Sequence, residues 1–430
     1  MKNTSSKIKY AVPFFLLLAA LTMIAWLLPL RPVSSDDEKR QLAQLPEFSV
    51  TSLLSGEYFA DIDAWFSDTF TFREQWLSVS EFIQTLYGHS DIGIYGSLTN
   101  SDSVPSPTPE PTEEISRWDV VDKDTWQGNV VDEDDFVSFG TVLQIEDACY
   151  EFFYFYQAGA DRYAQVVSRA AEVAGDRAQV YSVLAPTAIG IMFDQEYLDK
   201  IGTASENDAM QYMYGAMKGV RGVDTFDALR YHNGEYLYFR TDHHWTAMAA
   251  YYAYREFCRT AGYEPADLDD FEEKVFDGYI GSLWSYANRS HTHTPDTVHA
   301  FVPPGDITAA VTTQNGGTYD IDVVSDMTNS SAGAKYLCFI AGDNPFTHIE
   351  NRSVANGKCA VVIKDSFANC FVPYLTQNYS DIYVIDYRSY RSMTLDGLID
   401  TYGADDILFV NAISVAQADV STTNMLKVVG

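Results

Sequence analysis

The chain has 430 residues, 47% of them hydrophobic, enough to bury one large core or two ordinary ones. It carries 28 basic and 60 acidic side chains, a formal net charge of −32 at pH 7. Such an acidic surface repels nucleic acid phosphates, which excludes nucleic acid as a partner. The five scattered cysteines lack C-x-x-C pairs, which argues against a zinc site or a disulfide scaffold. Buried free thiols are expected, and the alternative is a single disulfide.

The first predicted element is a membrane anchor. Residues 11–30 contain no charged side chain, and at about 1.5 Å per residue such a helix spans about 30 Å, the hydrocarbon thickness of a bilayer. Lys2, Lys7 and Lys9 precede it, which predicts a cytoplasmic N-terminus and a single pass that leaves the main domain outside the cell. The alternative is a cleaved signal peptide, although the apolar segment is long and no A-x-A-like site follows it.

Beyond this anchor, which with its cytoplasmic tip takes residues 1–34, the sequence predicts three parts. Residues 35–98 have apolar positions at helical spacing and are expected to form a helical stalk that packs on the main domain. Residues 99–117 alternate proline with Ser, Thr and Glu, a composition that indicates a disordered or polyproline linker or loop. Residues 118–430 form the main domain.

In the main domain short apolar strands alternate with helices, the pattern of a parallel sheet with helices on both faces. The predicted elements are helices over 149–174, 206–219, 242–261, 367–377 and 395–402, strands over 178–186, 358–364, 381–386 and 406–410, and a last helix. Residues 275–340 break this alternation and predict a β-rich insertion, which is either a lid or substrate wall or a hairpin without a role at the site.

The strand over 358–364 leads directly into Asp365, Ser366 and a helix. Active sites of parallel α/β sheets lie outside the carboxyl ends of the strands, which is where this serine falls. Its hydroxyl would be exposed in a tight turn, and its own N–H, at a helix start, would stabilise an oxyanion. The alternative is an ordinary helix cap, a role suited to both side chains.

A second polar segment, Asp242-His243-His244-Trp245, opens an amphipathic helix. His244 is the candidate general base, Asp242 would fix its tautomer, and His243 would pack or hydrogen-bond beside it. With Ser366 they supply the nucleophile, base and acid of a serine hydrolase or acyltransferase. The alternatives are a helix cap and a metal site, since Asp-His-His is also a set of metal ligands. No second cluster at metal spacing is evident, so we expect no bound metal.

These two segments in combination resemble those of a known group of proteins. A Thr-Asp-x-His-Trp-Thr box followed far downstream by a strand and Asp-Ser-Phe is similar to the SGNH-hydrolase-like superfamily of extracytoplasmic O-acetyltransferases, which includes the alginate O-acetylation proteins. It is closer still to the Firmicute family named for its Asp-His-His-Trp (DHHW) motif, here residues 242–245. The resemblance covers most of the chain, including residues 37–43, 70–73 and 364–369.

The resemblance implies an SGNH-hydrolase-like fold in which Ser366 is the nucleophile, His244 the base and Asp242 the orienting acid. Two features depart from the wider pattern: Lys364 replaces the usual glycine before Asp-Ser, and the Asp and His precede the serine in the chain. Weaker candidates for the oxyanion hole or for substrate binding, each with an ordinary turn or surface role as its alternative, are Asn411, Asn344, Arg240, His243 and Tyr390.

The implied function is O-acetylation of a cell-wall or secreted polysaccharide through an acyl-enzyme, with no cofactor. Since acetyl-CoA is absent outside the cytoplasm, the resemblance also implies a membrane-bound O-acyltransferase partner that passes the acetyl group across the bilayer. Two alternatives stay open. One is a carbohydrate acetylesterase, in which water attacks the acyl-enzyme; the other is a non-catalytic protein that binds or assembles exopolysaccharide on the same fold.

Overall fold

The computed structural model describes residues 142–145, 147–286 and 294–430, together with residues 34–35, 40–41, 92–95 and single positions between 45 and 69. In this part of the chain no helix is both long and apolar enough to cross a bilayer; the predicted anchor over 11–30 and the predicted linker over 99–117 lie outside it. The chain forms two compact units, residues 1–89 and 90–430. In the first, Tyr58, Ile62, Trp65 and Phe66 of the predicted stalk are helical.

The described elements follow in chain order. The strands are β1 (Ser34–Ser35), β2 (Arg40–Gln41), β3 (Ile92–Tyr95), β4 (Val142–Ile145), β5 (Ala148–Glu151), β6 (Gln179–Ala185), β7 (Val220–Gly222), β8 (Glu272–Tyr279), β9 (Asp296–Val302), β10 (Ile307–Thr312), β11 (Thr318–Ile321), β12 (Phe346–Asn351), β13 (Cys359–Lys364), β14 (Asp381–Asp386) and β15 (Asp406–Ala412). The helices are α1 (Gln157–Ala174), α2 (Ala188–Met192), α3 (Gln195–Ile201), α4 (Glu206–Ala216), α5 (Thr225–Tyr231), α6 (Ala247–Ala261), α7 (Val372–Leu375), α8 (Leu395–Tyr402), α9 (Ile413–Ala416) and α10 (Asp419–Val429).

A central sheet of order β11-β10-β12-β14-β13-β15-β6-β7 organises the second unit. The strands from β14 to β7 pair in parallel, whereas β12, β10 and β11 pair antiparallel with their neighbours. The prediction of a parallel sheet is therefore wrong for its outer third, and the sheet is mixed. One physical reason is that the turn between β10 and β11, which contains Gly316 at φ 80°, is too short for anything but a reversal of the chain.

Helices cover both faces of the sheet, as the alternating pattern predicts. Neighbouring residues of a strand point to opposite faces. In β6, Tyr181 contacts Phe257 of α6 with ring centroids 5.2 Å apart, while Ser182 lies 3.1 Å from the hydroxyl of Tyr163 in α1. Because the central strands are covered on both sides, they are mostly apolar, and every residue of β13 and β15 is buried, including the polar residues near their ends.

Four predicted helices are shorter than expected. The helix over 242–261 begins only at Ala247, where Thr246 caps it, and the helix over 206–219 ends at Ala216. The helix over 149–174 begins only at Gln157, because the preceding aromatic residues favour extended structure and Ala148–Glu151 pairs as β5. The helix over 367–377 divides into a 3₁₀ helix, Ser366–Cys370, and α7, at whose start lies Pro373. Proline has no N–H to donate to the preceding turn, so the chain bends there.

The predicted insertion over 275–340 is largely integrated into the fold. β8 pairs with β9 as a two-stranded ribbon, but β10 and β11 extend the central sheet. All five cysteines are buried free thiols, as the sequence predicts.

Candidate active site

Ser366 lies at the carboxyl end of β13, the strand that pairs with β14 on one side and with β15 on the other. Asp365 fixes the turn before it, since one carboxylate oxygen accepts the N–H of Phe367 at 3.0 Å and the other accepts that of Ala412 at 2.9 Å. Burial raises the pKa of Asp365. Asp365 thus caps the short helix and ties it to β15, which leaves the half-buried Ser366 hydroxyl at the rim of the sheet.

His244 lies between Asp242 and Ser366. Its Nε2 is 2.8 Å from Ser366 Oγ, and its Nδ1 is 2.5 Å from Asp242 Oδ1. A proton on Nδ1 satisfies the carboxylate and leaves Nε2 to accept the hydroxyl proton. The imidazole is 7% exposed and stacks on Tyr336 with ring centroids 4.2 Å apart. Trp245 joins the two segments, because its indole N–H donates to the Phe367 carbonyl at 2.8 Å.

The carboxylate of Asp242 is held by several donors. Its Oδ1 also accepts the N–H of His244 at 3.1 Å, and its Oδ2 accepts the N–H and hydroxyl of Ser282 at 2.7 and 3.1 Å. The hydroxyl of Tyr279 hydrogen-bonds to the same side chain. Ser282 and Tyr279 come from the predicted insertion, so this segment forms part of the wall around the acid.

Gly281 has no room for a side chain. A Cβ at this position would lie 2.1 Å from the Cβ of Asp242 and 2.6 Å from its Cα. We expect Gly281→Ala to displace Asp242 and to lower by about 100-fold or more any catalysis that depends on the hydrogen-bonded series of Asp242, His244 and Ser366, or to prevent folding. Circular dichroism separates these two results. Gly397→Ala is the control, since its Cβ would meet atoms no closer than 3.6 Å and alanine favours its helix; equal effects of the two substitutions would contradict the prediction.

His243 has a different environment from its neighbour. Its Nδ1 lies 2.8 Å from the hydroxyl of Ser282 and 3.9 Å from Asp242 Oδ1. Asp242, His243 and His244 each offer a ligand atom within 4.8 Å of the others, so the metal alternative has a geometric basis. However, both ring nitrogens of His244 and both oxygens of Asp242 already have protein partners. A cation would have to displace these bonds.

Asp296 supports the site, and no feature of the sequence predicted this role. It is fully buried and accepts the N–H groups of Arg240 and Thr241 at 2.9 and 2.8 Å, the Thr241 hydroxyl at 2.5 Å and the Tyr236 hydroxyl. These bonds fix the backbone directly before Asp242. Arg240, a predicted near-site residue, has its guanidinium 3.5 Å from Asp296 and 5.2 Å from the centre of the Tyr236 ring. These contacts indicate that Arg240 supports the loop before Asp242.

The two candidate amides differ in whether their donor groups are used. Asn411 lies beside the nucleophile turn, but its Oδ1 accepts a hydrogen bond from Tyr163 on the α1 face at 3.3 Å. Among the described residues its buried Nδ2 has no hydrogen-bond partner. Asn344 Nδ2 donates to the carbonyls of Ile340 and Ala341 at 3.4 and 3.1 Å, which closes a turn of left-handed residues. Asn344 is therefore a turn residue, the alternative that the sequence left open.

Tyr390 follows β14 and is buried, with its ring 6.0 Å from that of Phe346. Burial raises its pKa to about 12. Tyr390 lines a cavity at this end of the sheet and takes no part in the hydrogen bonds of Ser366 described above.

Lys364, which takes the position of the expected glycine, is 0% exposed. Its Nζ lies 2.6 Å from Asp343, 2.7 Å from the Asn369 side-chain oxygen and 3.6 Å from Asp386. Arg388 contacts both carboxylates, at 2.8 and 2.5 Å. Burial would raise the pKa of Asp343, but the two cations lower it well below its usual range. This ion-pair network ties the turn at Asp343 and the end of β14 to the strand that carries Ser366.

Breaking this network is expected to destabilise the fold. Lys364→Met keeps the side-chain length but leaves two carboxylates to one arginine, so we expect the free energy of unfolding to fall by about 3–5 kcal/mol. Urea denaturation measures this change. The control is Lys200→Met, which removes an exposed ion pair with Glu196 and should leave the free energy of unfolding nearly unchanged. Similar losses in both variants would show that the network is not stabilising.

Two carboxyls near the site have raised pKa values. Burial, followed by the charges of Glu206 and Asp242, raises the pKa of Glu151 to about 8. Burial raises that of Glu206 to about 7, against the opposing hydrogen bonds from Thr187. A carboxyl whose pKa is raised on folding stabilises the fold most at low pH, and this stabilisation is lost as the pH rises through the folded pKa.

We therefore expect the free energy of unfolding to fall between about pH 5 and pH 8. The side chain of Glu151→Gln is neutral at every pH, so this variant should lose less unfolding free energy over this range, by on the order of 1–2 kcal/mol. This value is lower than the pKa shift alone would give because the side chain is partly exposed. Denaturant titrations at several pH values measure the slope. Glu172→Gln, at an exposed position of α1, should leave the slope unchanged; a wild-type slope in Glu151→Gln would contradict the prediction.

The chain is similar to known proteins in both sequence and fold. The DHHW protein family model matches residues 38–114 and 110–385. Among solved structures, a DHHW family protein from Eubacterium siraeum aligns with 27% identity and a TM-score of 0.59, over 66% of this chain and 94% of that chain. Bacillus cereus PatB1, solved with a sulfonyl adduct, aligns with 18% identity and a TM-score of 0.57, over 67% of this chain and 98% of that chain.

The expected similarity to the alginate acetylation proteins is weaker. The O-acetyltransferase domain of Pseudomonas putida AlgJ aligns with 14% identity and a TM-score of 0.38, over 63% of this chain and 90% of that chain. Among curated protein sequences, none matches the chain. The family match spans most of the chain and includes the Asp242-His243-His244-Trp245 motif. The chain therefore belongs to the DHHW protein family.

Proposed function

We propose that the protein is an extracytoplasmic O-acetyltransferase that acylates a cell-envelope or secreted polysaccharide through a covalent intermediate on Ser366. The observation that carries the proposal is the hydrogen-bonded series of Asp242, His244 and Ser366 at the carboxyl edge of the sheet. The sulfonyl adduct of PatB1, a protein of similar fold, is consistent with a nucleophilic group on this architecture.

The reaction has two half-steps. In the first, Ser366 Oγ attacks the carbonyl carbon of the acetyl donor while His244 Nε2 takes the hydroxyl proton; Asp242 stabilises the resulting imidazolium. The donor oxygen then leaves with that proton, and the acetyl group stays on Ser366. In the second, a sugar hydroxyl attacks the acetyl-enzyme, His244 takes its proton, and the proton returns to Ser366 Oγ as the ester bond breaks. The Ser366 N–H, which has no acceptor inside the helix that it starts, supplies one oxyanion donor.

The donor and the location belong to the same proposal. A membrane-bound O-acyltransferase would deliver the acetyl group outside the cytoplasm, and an anchor over residues 11–30 would keep Ser366 close to that partner. Exchange of residues 1–34 for a cleaved signal peptide tests this arrangement. We expect the released protein to keep its activity on a soluble acetyl donor but to lose acetylation of the cell surface.

A labelled acetyl donor tests the activity itself. The protein is incubated with the donor in the presence and absence of oligosaccharide acceptors, and the products are separated. We expect acetylated sugar when an acceptor is present. Free acetate alone would identify an esterase instead. If neither product nor an acetylated Ser366 forms, the protein is not an acyl transfer enzyme.

A further inference from the structure

We propose that a cavity beside the nucleophile binds the sugar units of a neutral acceptor polysaccharide. The proposal rests on the function proposed above for Ser366. The cavity has a volume of about 710 Å³ and lies where β10, β12 and β14 meet the loops at their ends. Five features support it: its position, its lining, the unsatisfied hydroxyls in that lining, the charge of the lining and the connection to the Ser366 turn.

The cavity opens on the same edge of the sheet as Ser366. Lys364 pairs with Asp386, Ile385 pairs with Phe346, and Phe346 pairs with Thr312. The start of β12 and the end of β10 are therefore level with the end of β13. Since neighbouring strands are about 4.8 Å apart, the Phe346 wall is displaced sideways from the nucleophile strand by about 10 Å. This is a distance that a bound oligosaccharide spans.

The lining combines aromatic rings with hydroxyl and amide groups. Phe346 lies between Tyr390 and Tyr402, at centroid distances of 6.0 and 6.1 Å and interplanar angles of 22° and 33°. Gln314 and Ser392 line the same cavity from exposed loops. Sugars offer apolar C–H faces to aromatic rings and hydroxyls to amides and alcohols, so both kinds of lining group have a partner in such a ligand.

Two polar groups of the lining are unsatisfied. Within the described part of the chain, neither the buried hydroxyl of Ser389 nor that of Tyr390 has a hydrogen-bond partner. Buried polar groups without partners are uncommon in native proteins and often indicate a missing ligand or water. Ligand hydroxyls in the cavity would provide these partners.

The charge of the lining selects the class of ligand. Arg391 alone is charged among the described lining residues, and its guanidinium donates to the carbonyls of Tyr387, Arg388 and Tyr390 at 3.1, 2.9 and 2.5 Å. Among the described lining residues the cavity therefore has no carboxylate, and its one guanidinium keeps its charge but already has acceptors for its terminal N–H groups, so it has no free pair of donors for an anionic ligand. A neutral polyhydroxylated ligand fits these groups better than an ionic one.

A single turn separates the cavity from the nucleophile. Asp343 accepts hydrogen bonds from Lys364 at 2.6 Å and Asn369 at 3.1 Å, and these two residues flank Ser366 in the chain. Pro345 and Phe346, two and three residues later, line the cavity. A polysaccharide held in the cavity would thus extend past Asp343 toward the acetylated serine.

Substitutions in the cavity test the proposal. Ser392→Trp fills it from an exposed position, and Gln314→Ala removes an exposed amide; Gln165→Trp, at an exposed position of α1 outside the lining, is the control. Two quantities are measured in the full-length protein. The first is acetyl-enzyme formation from p-nitrophenyl acetate, and the second is transfer to β-linked tetrasaccharides of glucose and of N-acetylglucosamine.

We expect Ser392→Trp to raise the KM for a tetrasaccharide by about tenfold or more and Gln314→Ala by about threefold, while acetyl-enzyme formation stays within about twofold of wild type. Gln165→Trp should match wild type in both. An acceptor KM unchanged by Ser392→Trp overturns the proposal, as does a wild-type acetyl-enzyme whose transfer does not saturate with either sugar. Failure to form any acetyl-enzyme contradicts the proposed function instead; calorimetric binding of the tetrasaccharides to wild type and Ser392→Trp then decides on the cavity.

Discussion

Ser366→Ala is expected to lower kcat/KM for acetyl transfer by about 10⁴- to 10⁶-fold while leaving the fold intact. The hydroxyl bonds His244, whereas the turn is capped by Asp365, so the substitution removes the nucleophile without removing the cap. Turnover of p-nitrophenyl acetate measures the loss, and thermal denaturation checks the fold. Ser330→Ala is a matched control, since that hydroxyl contacts the Met327 sulfur in a loop.

Wild-type turnover in a folded Ser366→Ala protein would show that another group is the nucleophile. The expected pattern is a stable, inactive Ser366→Ala beside an active Ser330→Ala. Equal inactivity of both variants would indicate that serine substitutions perturb the fold generally.

The second large effect distinguishes the two adjacent histidines. We expect His244→Ala to lower kcat by about 10³- to 10⁵-fold, because it removes the base that faces Ser366 Oγ at 2.8 Å. His243→Ala removes only the contact with Ser282, which is one of several donors to Asp242, so a loss of about tenfold or less is expected. Single-turnover kinetics of acetyl-enzyme formation measure both.

Chemical rescue gives this comparison a control for folding. Added imidazole enters the space left in His244→Ala and should restore part of the rate, whereas it should have no effect on His243→Ala. If His243→Ala is the more damaged and the rescued variant, the assignment of the base is wrong.

Ser366 could be recognised from the sequence because it follows an apolar strand, and Asp242 and His244 because they lie shortly before the amphipathic helix α6. When an apolar strand ends at Asp365-Ser366, the hydroxyl lies at the edge of the sheet. The structure brings this serine together with His244 and Asp242, as expected. The central parallel strands were also predictable, since burial on both faces favours nearly continuous runs of apolar residues.

The outer part of the sheet was not predictable in the same way. β12 alternates buried and half-buried residues, a pattern compatible with an isolated hairpin as well as with a strand of the main sheet. The aromatic residues before Gln157 fit either a helix or a strand by composition, and pairing of β5 with β4 decided between them. Local sequence leaves such choices to tertiary contacts.

The residues that support the site could not be predicted at all. Asp296 and Ser282 act through partners 39 to 60 positions away in the chain, and no spacing in the sequence indicates them. Gly281 is required because the backbone of Asp242 lies against it, a constraint visible only in three dimensions. Conversely, Asn344 and Arg240 have plausible chemistry for a site, but a turn and a buried carboxylate use their side chains.

Mapping of a fluorophosphonate adduct on the full-length protein tests the proposed chemistry most directly. The reagent phosphonylates a serine only when a base takes the hydroxyl proton, so peptide mass spectrometry after labelling identifies the activated residue. We predict one adduct, at Ser366, that is lost in His244→Ala and retained in His243→Ala. An adduct on a different residue, or an unlabelled Ser366 in correctly folded wild-type protein, would contradict the assignment.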